Sequence, residues 1–76
     1  MNAPRTPQPL QHAHGIAFWD IEDIRLIYDE NTSLWHRQQL DVPTNGPASH
    51  VRTGFVDKFL AYYGLSTEKL IRTLED

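Results

Sequence analysis

The sequence predicts an all-α fold: a small array of about three helices behind a disordered N-terminal arm. Three observations carry this expectation. Apolar residues recur at helical spacing from Ile21 to Trp35. A second periodic run, from Val51 to Tyr63, stops at Gly64, and a third opens at once behind Ser66.

The arm is read from composition. Residues 1–11 hold three of the chain's five prolines and one clear apolar side chain beyond the start, Leu10. Such a segment buries too little apolar surface to offset its own ordering entropy. Residues 1–15 are therefore expected to be disordered, and residues 16–76 to form a single small helical domain. Pro4 and Pro7 have the PxxP spacing of a docking ligand, but a polyproline-prone tail accounts for it.

In the first periodic segment, Ile21, Ile24, Ile27 and Tyr28 share one helical face, and Leu34 and Trp35 return to it a heptad after Ile27 and Tyr28. Asp20 is a suitable N-cap, with Glu22 and Asp23 in the first turn, where the helix dipole favours acids. This predicts one long helix, or two collinear pieces broken at Asn31-Thr32-Ser33. A hairpin is the alternative, because IRLIY is rich in β-formers and DENT can turn the chain.

Residues 41–49 contain two prolines and Asn-Gly, and read as a loop. The second helix is expected from Ser49 to Tyr63, or from a later start capped at Thr53. Val51, Phe55, Phe59 and Tyr62 form its apolar face, with Phe55 and Phe59 in the core. Gly64 supplies the left-handed residue that ends it. The third helix follows Ser66, with Thr67, Leu70, Ile71 and Leu74 on one face.

At 76 residues the chain has room for one domain with a marginal core. It has no cysteine, which removes disulfides and thiolate chemistry and suits a cytoplasmic protein. No stretch approaches the roughly 20 apolar residues of a membrane span. The net charge is −3, and residues 18–42 alone carry −4, from Asp20, Glu22, Asp23, Asp29, Glu30 and Asp41 against Arg25 and Arg37. That half repels phosphate, which disfavours non-specific nucleic-acid binding.

Catalytic signals are missing. Ser33, Ser49 and Ser66 stand where turns and caps need them, and no glycine-rich loop cradles a phosphate. His12 and His14 form H-x-H in the arm, while His36 and His50 stand alone in the sequence, so no metal or cofactor is expected. The protein is not expected to be an enzyme.

The expected function is instead a non-enzymatic regulatory or adaptor protein that binds another protein, in transcription or a related process. On the predicted helix, Trp19 and Leu26 project away from the main stripe, bordered by Glu22, Asp23, Asp29 and Glu30. Two readings follow: a sandwiched central helix buries both stripes within the monomer, or an apolar anchor inside an acidic rim suits a protein partner with a basic surface. Self-association into a homodimer is a further expectation, because a small core gains from it.

The second reading rests on FVDKFLAYYGLSTEKLIRTLED, a helix, short turn and helix that resembles a DNA-binding helix-turn-helix. The resemblance implies a small transcriptional regulator. Lys69, Arg72 and Thr73 would then face DNA, and Ser66 and Thr67 would approach phosphate. Leu60 stands where such motifs often use alanine, and Thr73 where a buried aliphatic is common.

Overall fold

The computed structural model of the protein describes residues 6–40 and 44–75. These form an α+β fold, which corrects the all-α expectation: a five-stranded antiparallel sheet followed by two short helices. The strands are β1 (Gln11–Ala13), β2 (Ile16–Ile21), β3 (Ile24–Asp29), β4 (Leu34–Gln39) and β5 (Ser49–Val51), and they lie side by side in chain order. The segment expected as a long helix is therefore a run of hairpins, the alternative raised by its β-forming residues.

Alternation explains why. Ala17, Trp19 and Ile21 on β2 meet Tyr28, Leu26 and Ile24 on β3, and Tyr28 in turn meets Trp35 on β4. These residues line one face of the sheet, with Ala17, Trp19, Ile24, Leu26 and Trp35 buried. The intervening residues, among them Phe18, Asp20, Arg25 and Ile27, line the other.

The turns are tight. Ala13 pairs with Ile16 across His14 and Gly15, both at positive φ (55° and 78°), as a type I′ turn requires. Ile21 pairs with Ile24 across Glu22 and Asp23, with Glu22 at φ 56°. In the longer β3–β4 turn, the Asp29 carbonyl accepts from the Ser33 N–H at 2.7 Å and its carboxylate accepts from the Asn31 N–H at 2.9 Å. The Glu30 N–H donates to the Gly15 carbonyl at 2.8 Å, which fastens the first turn to the third.

Gln11–Ala13 belong to the segment expected as a disordered arm, yet they form β1, and the Leu10 N–H bonds the Phe18 carbonyl at 2.8 Å. Residues 1–5, with Pro4 of the PxxP spacing, lie outside the described residues.

Two helices cover the apolar face of the sheet. Ser49–Val51 are the last strand rather than the start of a helix, and α1 runs Thr53–Ala61 with Arg52 as its N-cap. Gly64 sits at φ 71°, and the Leu65 N–H reaches back to the Leu60 carbonyl at 3.0 Å, closing the helix end as expected. The second helix, α2, is Thr67–Arg72, capped by the Ser66 hydroxyl, which accepts from the Lys69 N–H. A 3₁₀ turn, Thr73–Glu75, follows.

Val56, Leu60 and Leu70 of the helices complete the core with Trp19, Leu26 and Trp35. The tryptophan rings stand 5.8 Å apart, and Tyr28 packs on Trp35 at 4.8 Å. Phe55, expected in the core, is 64% exposed, and Phe59 is only partly buried.

Candidate functional site

The residues proposed from sequence as an acidic interface do not share a surface. Trp19 and Leu26 face each other across β2 and β3, each 1% exposed, so neither offers an anchor to a partner. They looked stray on a helix because their inward direction follows a period of two. The carboxylates are divided as well. Glu22 and Asp23 make the β2–β3 turn, while Asp29 and Glu30 stand at the far end of β3, about 20 Å away by the rise of an extended strand. Several are also engaged locally: Asp23 accepts from Gln39 Nε2 at 2.9 Å, and Glu30 meets His12 Nε2 at 2.7 Å.

The helix-turn-helix reading also fails. A helical hairpin is present, but it lies on a β-sheet, and its second helix has six residues. The side chains proposed to face DNA serve that hairpin instead. Ser66 caps α2, Lys69 Nζ donates to the Gly64 carbonyl at 3.1 Å, and Arg72 pairs with Glu68 at 3.0 Å. Thr67 is buried with its N–H on the Asp57 carboxylate at 2.7 Å, and the Thr73 hydroxyl donates to the Leu70 carbonyl at 2.7 Å. Lys69, Arg72 and Thr73 also lie beside Thr6 and Gln8 of the N-terminal segment.

A different site emerges beside α1. Val56 and Leu60 point into the core, and the adjacent stripe, Phe55, Phe59 and Tyr62, runs along the helix at i, i+4 and i+7. Phe55, Phe59 and Val56 form one wall of a cavity of about 200 Å³. Val51 of β5, Ile24 and Leu26 of β3, and Arg37 of β4 form the other. Ligand pockets commonly run about 300–1,000 Å³. This one is too small for a sizeable substrate and fits one or two apolar side chains.

The surroundings are basic. Arg37 lines the cavity, and Arg52 and Lys58 flank Phe55 on its outer side. Lys58 continues the strip toward Tyr62, which is 83% exposed. Among the described residues none of these three cations has an ion-pair partner. Asp57, the acid on α1, is turned to α2. The sequence signal for this site was the width of α1's apolar face, broader than one core contact needs.

Among the described residues the opposite face of the sheet carries no helix. Phe18, Ile27, His36 and His50 form a row across β2 to β5. Arg25 grips Asp20 in a two-pronged pair at 2.7 and 2.9 Å, and its guanidinium lies 4.2 Å from the Phe18 ring centre. The hydrogen bonds to Asp20, aided by its charge and opposed by partial burial, hold the Arg25 pKa above its ordinary value. His36 and His50, separate in the sequence, are cross-strand partners here.

Among the described residues no cluster of three or more His, Asp or Glu side chains converges on a common point, and no helix is long and apolar enough to cross a membrane. No protein-family model, curated protein or solved structure matches this chain.

Proposed function

We propose that the protein is a non-enzymatic binding module, an adaptor or regulator, that docks an apolar segment with acidic flanks from a partner protein in the groove beside α1. The observation that carries this reading is Phe55. A large aromatic ring, 64% exposed, stands at the mouth of an apolar cavity with Arg37, Arg52 and Lys58 around it. Exposed aromatics flanked by pockets are the usual anchors of protein interfaces, and charges at the rim select and steer the partner. The size of the cavity favours an inserted side chain over a metabolite.

This partner differs in sign from the one the sequence suggested. The expectation of a basic partner drew on carboxylates gathered along one helix, and those carboxylates are divided between two turns. The charge beside the groove is positive, so the complementary segment is acidic.

The test is selection of binders from a library of short displayed peptides against the folded protein. Enriched peptides should combine bulky apolar residues with Asp or Glu flanks. They should lose binding to Phe55→Ser and to the charge reversal Arg52→Glu with Lys58→Glu. Neutral or basic binders, or binding that survives Phe55→Ser, would overturn the reading. So would a self-associating protein that Phe55→Ser renders monomeric, because the groove's occupant would then be a second copy.

A further inference from the structure

We propose that His36 and His50 form a two-histidine site for a divalent first-row transition metal, with Cu²⁺ held most tightly, on the open face of the sheet. The two residues are directly opposite on β4 and β5, so their side chains leave the same face at neighbouring positions. Their ring centres are 5.9 Å apart and the rings stand at 70° to each other.

The spacing can be compared with what a shared ion requires. With metal–nitrogen bonds of about 2.0–2.1 Å, each ring centre lies about 3.2 Å from the ion, so two coordinating rings have centres about 4.5–6.4 Å apart. The observed separation is inside that window.

The ligands are available. Among the described residues neither imidazole has a hydrogen-bond partner, so each neutral ring keeps a free lone pair. His12 differs, because its Nε2 already meets Glu30. The neighbour on the other side of His36 in the row is Ile27, which adds no competing charge. Imidazole nitrogens suit copper, nickel and zinc, and for a given site the affinity order peaks at Cu²⁺. Two protein ligands leave the remaining positions to water, so the ion is exchangeable and open to a ligand from solution.

The test is titration of the full chain with Cu²⁺, and in parallel with Ni²⁺ and Zn²⁺, near neutral pH. Calorimetry reads affinity, and electron paramagnetic resonance of the Cu²⁺ form reads nitrogen coordination. The expected result is one equivalent bound with two ring nitrogens. His36→Asn and His50→Asn should each weaken binding at least tenfold, because either loss ends chelation. His12→Asn combined with His14→Asn should leave it unchanged. His50 is exposed, so its variant keeps the fold and remains informative if His36→Asn does not, as circular dichroism will show. Affinity indifferent to His50→Asn, or lost instead in the His12 and His14 variant, overturns the proposal.

Discussion

Phe55 and Val56 are consecutive residues of α1 that stand on opposite sides of its boundary with solvent: Val56 is packed into the core and Phe55 is 64% exposed. One step of 100° along a helix separates a residue that holds the fold together from one that the fold presents. The two classes of substitution should therefore behave differently.

Truncation of the inward stripe should be costly. Leu60→Ala removes a fully buried side chain and should lower stability by about 2–5 kcal/mol. Phe55→Ser should shift it by no more than about 0.5 kcal/mol, as exposed positions do. Urea denaturation of both variants measures the contrast, and a Phe55→Ser protein as unstable as Leu60→Ala would place Phe55 in the core after all.

Trp19 offers a finer comparison. Its indole N–H is buried with no hydrogen-bond partner among the described residues, an arrangement that costs about 1–3 kcal/mol. Trp19→Ala loses the whole ring and should destabilise by about 3–5 kcal/mol. Trp19→Phe keeps an aromatic ring and deletes the unpaired donor, so its loss should be clearly smaller. Equal midpoints for the two variants in thermal unfolding would overturn this expectation.

At Gly15 the backbone sets the cost. Its φ of 78° suits glycine, and a Cβ there would stand 2.5 Å from Asn31 Nδ2. Asn31 is an exposed side chain that can move aside, so conformational strain of about 1 kcal/mol should dominate Gly15→Ala. Adding Asn31→Ala should recover only a minor part of the loss in a double-mutant cycle. Full recovery would show that the clash matters more than the turn.

Asp57 joins the two helices by accepting the Thr67 N–H at 2.7 Å, alongside the local cap from Ser66. Each cap should be worth about 0.5–2 kcal/mol to alanine substitution. Asp57→Ala, with its partner buried, should be the more damaging of the two. Amide exchange at Thr67 should speed up in Asp57→Ala and not in Ser66→Ala.

The junction between the two helices was legible because its signals are local. Gly64 ends one helix and Ser66 caps the next in positions that neighbouring residues decide. The first half misled for a geometric reason. Ile21 and Ile24 are three apart, as on a helix, but they share a sheet face because a two-residue turn intervenes. Ile24 and Tyr28, four apart, share a face under either period, and Tyr28 and Trp35, seven apart, are brought together by the longer turn.

Four residues distinguish the two patterns: Ile27 and Leu34, which leave the helical stripe for the other sheet face, and Trp19 and Leu26. The last two were visible as departures from the helical stripe, and they mark the buried centre of the sheet. The Glu22-Asp23 turn carried no glycine or asparagine to announce it, and its acids resembled the first turn of a helix. Of the groove only the breadth of α1's apolar face could be read, since the site itself depends on β3, β4, β5 and α1 meeting.

Strand order equals chain order, and this bears on how the molecule forms. Each strand pairs with its sequence neighbour, and the first three connections span only short turns, so little loop-closure entropy opposes zippering from one hairpin to the next. Low contact order of this kind goes with fast folding for a β-rich chain. The cover comes later in the sequence: Trp19, Leu26 and Trp35 have no lid until Val56, Leu60 and Leu70 arrive. During synthesis from the N-terminus, the sheet therefore precedes the helices that hide its apolar side, and that interval is when a nascent chain is most open to aggregation or to a chaperone.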